Sequence, residues 1–302
     1  MKHTQRFLLT GIAAILFISC QKEISEGTGG TPLDPPDTVS SVLLKKYIKL
    51  DTTLAAPNDT IFTASYLYDN AKRCTSILYK YFDHPDALYE GTVEEKIFYN
   101  GSDTNMSHRT MVNTYAAGTD RTAEYFTYDA NGRVLRDSID AIGNDASFYY
   151  RYDGNIIHTT AHFLPDIADT FLYTTHHIQK LNGNIITERD SAYEVNQPWP
   201  YGTPTVALTD AQYDNHPNPF YKLSPPWPVV FEIEHVLQDE WRVQQKNNWL
   251  RSYQEFDGWG AGESDLYTFQ YTYLANGYPS IVRIKNTYGG DDHYFKGIYQ
   301  YY

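Results

Sequence analysis

A repeated hairpin unit constrains this chain more than any other sequence feature. Its clearest copy, residues 125–134, reads Tyr-Phe-Thr-Tyr-Asp-Ala-Asn-Gly-Arg-Val, and weaker copies occupy 66–73, 150–157 and 271–278. Tyr, Phe, Thr, Ile and Val dominate the runs before each turn, as is typical of β-strands. Asn-Gly and Asp-Gly turns favour the positive φ of tight hairpins. The repeat therefore predicts consecutive antiparallel strands.

The spacing of the repeat predicts how the hairpins combine. The recurring anchor positions are Tyr68, Tyr99, Tyr128, Tyr152, Leu181 and Tyr213, which stand 31, 29, 24, 29 and 32 residues apart. Each interval accommodates two strands and their links. Because a lone hairpin is marginal in water, neighbouring hairpins must associate to bury their aromatic faces. We predict an all-β fold, an antiparallel meander of hairpins curved into an open barrel or a long twisted sheet, with 294–302 as its closing strand.

A Pro-rich insertion, residues 197–245, interrupts the meander. Eight prolines exclude a central strand there: Pro198, Pro200, Pro204, Pro217, Pro219, Pro225, Pro226 and Pro228. Helical spacing of Val230, Ile233, Leu237 and Trp241 predicts one short helix within 229–244. Strand alternation through Val229, Phe231 and Ile233 competes with it, and both readings stay open.

Composition excludes several classes of protein. Aromatic residues make up 16% of the 302 residues, which argues against disorder. A net charge of −13 lacks the basic footprint of a nucleic-acid-binding protein. No apolar run reaches the roughly 18 residues of a spanning helix, so a helical membrane protein is not expected. A membrane barrel is disfavoured because the Tyr-rich strands alternate with charged residues.

The first 41 residues predict export and lipid anchoring. Lys2 and Arg6 precede a short apolar stretch, and Cys20 ends it, so 1–19 is predicted to be a signal peptide. Cys20 is then the lipidated residue that anchors the chain to a membrane. Residues 20–41, rich in Gly, Pro, Ser and Thr, are predicted to form a flexible tether. Residues 42–302 follow as a single hairpin-repeat domain, in which Cys74 is expected to be a small buried residue.

The chain resembles known protein families at these same motifs. Tyr-x-Tyr-Asp-x-x-Gly-Arg resembles the YD hairpin repeat of Rhs-type proteins, and residues 16–20 resemble the bacterial lipobox. The closer resemblance is to the DUF4595-like group of uncharacterised Bacteroidota lipoproteins, through the segment 213–220 and the Asn-Asn pair in 246–248. Gln21-Lys22-Glu23 is similar to signals that send such lipoproteins to the cell surface. The resemblance implies an outer-membrane location, periplasmic or surface-exposed, and a hairpin architecture, but no chemistry.

A search for catalytic and metal-binding motifs finds none. His158 and His162 share a strand face, with His176 and His177 downstream, but no zinc motif accompanies them. The adjacent acids at 94–95 and 291–292 point to opposite faces of a strand and form no catalytic pair. Nucleophile elbows and phosphate loops are also lacking. We therefore predict no cofactor and no metal, and we rank an enzyme last.

Six aromatic residues cluster between residues 197 and 262: Trp199, Tyr201, Trp227, Trp241, Trp249 and Trp259. All but Trp249 are the predicted ligand-binding residues. Exposed rings bind sugars by stacking, and loops on a rigid scaffold are a usual place for binding sites. The alternative is that these rings fill the core. The predicted function is a cell-envelope binding module for a glycan or a protein. A scaffold component of an outer-membrane complex is the alternative, and a polysaccharide-active enzyme ranks below both.

Overall fold

The computed structural model describes residues 42–53, 59–82, 91–115, 118–141, 145–164, 170–194, 205–208, 210–221, 223, 245–257 and 263–302. Within these ranges the chain is all-β. The strands are β1 (Leu44–Asp51), β2 (Asp59–Tyr68), β3 (Cys74–Tyr81), β4 (Gly91–Tyr99), β5 (Met106–Tyr115), β6 (Gly118–Tyr128), β7 (Val134–Ala141), β8 (Asp145–Asp153), β9 (Ile156–Leu164), β10 (Thr170–Leu181), β11 (Asn184–Glu194), β12 (Thr205–Leu208), β13 (Gln212–Pro217), β14 (Asn247–Asp257), β15 (Glu263–Tyr273), β16 (Pro279–Tyr288) and β17 (Asp291–Tyr301). In this described part, no helix has the length and apolar character needed to cross a membrane.

The strands form one antiparallel, barrel-like sheet. Each strand from β1 to β12 pairs with the next, and β14 to β17 continue in order. β17 pairs with β1, which confirms the predicted closing strand. β12 and β13 lie one after the other along β14, and β11 meets β12 at only two registered pairs. The ring of strands is therefore joined most weakly between β11 and β12.

Side chains alternate between a packed inside and a polar outside. On β4 the inward residues are Val93, Glu95 and Ile97, and the outward residues are Glu94, Lys96 and Phe98. The inward set joins one hydrophobic core that includes Tyr47, Ile77, Val134, Trp249 and Val282. Cys74 belongs to this core as a free, buried thiol, as predicted. Glu94 and Lys96 place charges on the outward face of this strand.

The repeated tyrosine has a structural explanation. Most anchor tyrosines lie at or next to the end of a strand, whereas Tyr213 is the second residue of β13. Each hydroxyl donates to the carbonyl of a residue near the start of another strand. These bonds run from Tyr68 to Leu44, Tyr99 to Cys74, Tyr128 to Met106, Tyr152 to Val134, Tyr213 to Ile185 and Tyr301 to Pro279, at 2.5 to 2.9 Å. Burial raises the pKa of Tyr128 above its ordinary value, so the hydroxyl remains a donor. The anchor tyrosines thus join one hairpin to the next.

The turns add a second connection between hairpins. In the clearest repeat, the Asp129 carboxylate accepts from the Arg133 backbone N–H at 2.9 Å and from its Nε at 2.7 Å. The Arg133 guanidinium then lies over the Tyr152 ring, 4.3 Å from its centroid. Asp69 and Arg73 repeat the arrangement, with the guanidinium 4.6 Å from the Tyr99 ring. The Asp and Arg of the motif therefore hold the turn and cover the next anchor tyrosine.

The hairpin β10–β11 departs from the repeat at a different residue from the predicted one. The anchors Tyr68, Tyr99 and Tyr128 follow directly after a register shift, as Tyr128 does in pairing with Val134. In β10 the shift lies between Gln179 and Lys180, and Lys180 pairs with Ile185. Lys180, rather than Leu181, therefore takes the anchor position, because four residues separate Lys180 from its partner Ile185, whereas five separate Tyr128 from Val134.

The segment after β13 fills the interior of the barrel-like sheet. Asn218 Oδ1 accepts from the Phe220 N–H at 3.0 Å, which folds the Asn-Pro-Phe sequence into a tight turn. The Phe220 ring meets Tyr47 edge-on at 5.2 Å. The predicted helix at 229–244 lies outside the described residues. Of the insertion, the described part comprises strands β12 and β13 and a turn that packs into the core. The expectation that its prolines exclude a central strand is wrong, because the proline-free β12 pairs with β11 on one side and β14 on the other.

Candidate ligand-binding site on the outer face

The described part of the structure contains none of the predicted site residues, but it does contain one aromatic residue of the same cluster. Cys20, Trp199, Tyr201, Trp227, Trp241 and Trp259 all lie outside the described residues. Trp249, from the same aromatic cluster, is 1% exposed and packs on Tyr213 with ring centroids 4.7 Å apart. For Trp249 the core-filling alternative is therefore the correct one.

The histidines do not come together. His158 lies on the outer face beside Thr175, with Nδ1 and Oγ1 3.4 Å apart. His176 points inward, where its Nδ1 lies 3.5 Å from the buried Glu188 carboxylate. His177, the next residue along β10, is exposed on the outer face. Among the described residues, no group of three His, Cys, Asp or Glu side chains is placed to hold a metal ion.

A buried ionic cluster occupies the inner face of β3 to β6. Arg109 forms ion pairs with Glu95, at 3.1 Å, and with Glu124. The Tyr79 hydroxyl donates to the second oxygen of Glu95 at 3.2 Å. Glu95 is 0% exposed, although its sequence neighbour Glu94 is on the outside beside Lys96. These carboxylates are paired and withdrawn from solvent, so their role is to hold neighbouring strands in register.

On the outer face of the same strands, three rings form a continuous stack. Phe98 and His108 are paired in register on β4 and β5, and their ring planes differ by 3° with centroids 4.3 Å apart. His108 stacks in turn on Tyr125 of β6, with centroids 5.6 Å apart and an 18° angle. Because adjacent strands lie about 4.8 Å apart in the sheet, rings stacked across them stand upright on it. Phe98 is 40% and Tyr125 is 49% exposed.

Small hydroxyl side chains continue this row beyond Tyr125. Ser138 of β7 pairs in register with Tyr125, Ser147 of β8 pairs with Ser138, and His162 of β9 follows. The two serine hydroxyls are 3.5 Å apart. Bulky side chains therefore flank a low floor that spans three strand spacings, roughly 14 Å. We call the surface from Tyr125 across Ser138 and Ser147 to His162 the outer trough.

An arginine and a tyrosine border the outer trough. Arg136 Nη2 donates to Ser147 Oγ at 3.2 Å, and its guanidinium lies 5.3 Å from the centre of the Tyr149 ring. Tyr149 itself is 45% exposed. The outer trough thus combines an upright aromatic face, two hydroxyls and a guanidinium. An apolar ring face bounded by hydrogen-bonding groups is complementary to a sugar, which has apolar C–H faces and a hydroxyl rim.

This site was not found by reasoning on sequence. Phe98, His108 and Tyr125 are separated by up to 27 residues, and only the cross-strand register aligns them. The sequence signal that could have found these rings is the alternation of inward and outward residues along a strand. Each ring is next in sequence to an inward-facing residue: Ile97, Arg109 and Glu124, respectively. The Trp-rich insertion attracted the prediction instead, because its aromatics cluster along the chain.

Comparisons with solved structures include two porin-like proteins. A porin-like protein from Bacteroides uniformis aligns with a TM-score of 0.49 and 17% identity, over 86% of this chain and 96% of that one. A porin-like protein from Bacteroides vulgatus aligns with a TM-score of 0.48 and 11% identity, over 85% of this chain and 98% of that one. No family model matches the chain. No curated protein matches it either, so a functional assignment depends on the geometry above.

Proposed function

We propose that this chain is a lipid-anchored binding module of the cell envelope that recognises carbohydrate through the outer trough. The observation that carries the proposal is the aligned, exposed stack of Phe98, His108 and Tyr125 beside a hydroxyl-lined floor. Exposed apolar surface that is contiguous and bordered by polar groups marks binding sites on proteins. Single exposed hydrophobic residues would need no such explanation.

The chemistry of the outer trough favours a sugar over an apolar ligand. A pyranose ring placed against the free face of Tyr125 would stack its C–H bonds on the aromatic ring. Its hydroxyls would then face Ser138, Ser147 and the Arg136 guanidinium, all of which donate hydrogen bonds. The upright ring and the strand-borne serines are held by the sheet, so little ordering is needed on binding. A site on strands is also more rigid than one on loops.

A panel of polysaccharides and host glycans tests the proposal. The probe is the full chain with Cys20→Ala, which prevents acylation. We expect saturable retention on at least one glycan and a loss of affinity of about ten-fold or more in Tyr125→Ala. Tyr288→Ala is the matched control, since Tyr288 is an exposed ring on β16 away from the outer trough, and it should bind normally.

Three outcomes would contradict the proposal. One is the absence of any bound glycan, which would favour the scaffold alternative and direct the search to crosslinked protein partners. Another is equal binding by the wild type and Tyr125→Ala. The third is loss of binding in Trp227→Ala or Trp259→Ala with Tyr125→Ala unaffected, which would place the site in the insertion.

The anchoring part of the proposal rests on the sequence and has its own test. Cells expressing the wild-type chain are expected to incorporate labelled fatty acid into it and to retain it in the membrane fraction. Cys20→Ala should abolish both, because Cys20 is the acceptor. Incorporation that persists in Cys20→Ala would contradict this assignment without affecting the carbohydrate proposal.

A further inference from the structure

A second surface feature lies on the outer face where the hairpin repeat is interrupted. An open depression of about 280 Å³ lies between the β8–β9 turn and strands β10 and β11. Its lining residues are Asn155, Ile156, His177, Ile178, Gln179, Thr187 and Arg189. Ligand pockets for drug-sized molecules begin at about 300 Å³, so this depression suits one small chemical group.

The depression exists because β10 extends past the end of β9. The last registered pair between these strands is Ile156 with His177, after which the Ile178 N–H donates to the Asn155 carbonyl. β10 continues to Leu181 beyond that point. Elsewhere an anchor tyrosine would bridge this end of two hairpins, but β10 has Lys180 at the equivalent position. The open depression therefore lies where the repeat of anchor tyrosines is interrupted.

Hydrogen-bond donors converge on this depression. His177 and Arg189 are directly opposite each other in the β10–β11 register, and Gln179 is opposite Thr187. His177, Gln179 and Arg189 are exposed on the outer face. Among the described residues, the Arg189 guanidinium has no carboxylate partner, and Asn155 offers a further side-chain amide. Along its register row, Ala207 separates Arg189 from Glu255 on one side. On the other side, His177 and Ile156 separate it from Asp153.

We infer that the β10–β11 depression binds a compact oxyanion, the carboxylate or sulfate group of a ligand. Arg189 presents the planar fork of N–H groups that matches such a group with two parallel hydrogen bonds. Gln179, Thr187 and Asn155 would satisfy the remaining oxygens, and His177 would donate from the opposite strand. The site shares no residue with the outer trough, so it holds or fails independently of the carbohydrate proposal.

Nuclear magnetic resonance titration of the full chain carrying Cys20→Ala tests this inference. The observed signals are the side-chain amides of Asn155 and Gln179 and the backbone amide of Thr187. The three probes are inorganic sulfate, glucuronate and glucose, which separate a free oxyanion, an acidic sugar and a neutral one. We expect saturable shifts with sulfate and glucuronate and none with glucose. Arg189→Gln should weaken binding of both anions about ten-fold or more.

The control variant is Arg283→Gln, which removes an exposed arginine from the outer face of β16 and should leave both affinities unchanged. Linear, non-saturating shifts would overturn the inference, as would equal affinities in Arg189→Gln and the wild type. An equal loss in Arg283→Gln would overturn it too, by showing a general charge effect. Shifts with glucose equal to those with glucuronate would show that the site does not select an anion.

Discussion

Strands β4, β5 and β6 carry opposite chemistry on their two faces, one residue apart. The inward residues Ile97, Arg109 and Glu124 directly adjoin the outward residues Phe98, His108 and Tyr125. Charge is inside, where Arg109 is paired with two glutamates. Aromatic surface is outside, where Phe98 and Tyr125 remain open to solvent. This arrangement is the reverse of the usual distribution of polar and apolar groups.

The difference separates the requirements of folding from those of binding. The inner charges are hydrogen-bonded on both sides of Arg109, and they fix the register of four neighbouring strands. The outer rings leave much of their surface unburied and so contribute little to the free energy of folding. Removing an inner group should therefore destabilise the fold strongly, whereas removing an outer ring should mainly change what the protein binds.

The largest expected effect on stability comes from Arg109→Met, which removes the positive charge at the centre of the buried ionic cluster. This variant leaves Glu95 and Glu124 buried without a counter-charge, and losing one partner of a buried ion pair costs about 3 to 5 kcal/mol. Urea denaturation should show the loss as a lower midpoint. Arg121→Met, an exposed arginine of β6, is the control and should change the midpoint little. Equal midpoints for the two variants would show that the cluster does not stabilise the fold.

The anchor tyrosines should give an intermediate effect. Tyr128→Phe removes the hydroxyl that donates to the Met106 carbonyl and leaves that acceptor unpaired, which costs about 1 to 3 kcal/mol. Tyr125→Phe is the matched control on the same strand, because its hydroxyl is on the exposed outer face. Thermal unfolding of the two variants should differ by several degrees. A Tyr125→Phe variant as destabilised as Tyr128→Phe would contradict the role assigned to the anchor hydroxyl.

Exchanging the residue types at equivalent positions of two turns should change stability by smaller amounts and in opposite directions. Lys72 holds φ +63° at the position where the other turn has Gly132 at φ +77°. Lys72→Gly should stabilise the protein by about 0.5 to 1 kcal/mol, because a side chain at positive φ is strained. Gly132→Lys should destabilise it by about 1 to 2 kcal/mol for the same reason. Chemical denaturation checks both signs, and a stabilising Gly132→Lys would contradict the equivalence of the turns.

The outer rings should have the smallest effect on stability. His108→Ala removes the middle ring of the stack and, as a partly exposed substitution, should change the free energy of unfolding by about 1 kcal/mol or less. Glycan affinity should fall more than stability does, since Tyr125 loses the ring that holds it upright. Differential scanning calorimetry and a binding isotherm on one preparation measure the two quantities. A large loss of stability would place His108 among the folding residues.

The hairpin meander was predictable because its determinants are local. The Tyr-Asp-x-x-Gly-Arg motif contains the turn, its Asp–Arg bond and the anchor tyrosine within a few residues. The acceptor of each tyrosine hydroxyl was not predictable, since it lies in another hairpin. The link from Lys180 to Ile185 is one residue shorter than that from Tyr128 to Val134, which places Lys180 rather than Leu181 at the anchor position. Local spacing alone does not reveal such a shift.

The candidate site was less predictable because its residues come from different strands and meet only through strand pairing. Alternation correctly separates Glu94 from Glu95, but which of them faces inward depends on Arg109 of the next strand. The stack of Phe98, His108 and Tyr125 requires the register of three strands to be known together. Functional residues that assemble across a sheet are therefore recognised from the pairing of strands, whereas those within one turn are recognised from the chain.

The most direct test of the account measures binding and stability together in one variant. Phe98→Ala/His108→Ala/Tyr125→Ala removes the whole stack and leaves the inner cluster untouched. For a glycan retained by the wild type, we predict an affinity loss beyond ten-fold, with a free energy of unfolding lowered by no more than about 2 kcal/mol. Unchanged affinity in this variant, or its failure to fold, would contradict the claim that the outer face serves binding and the inner face serves folding.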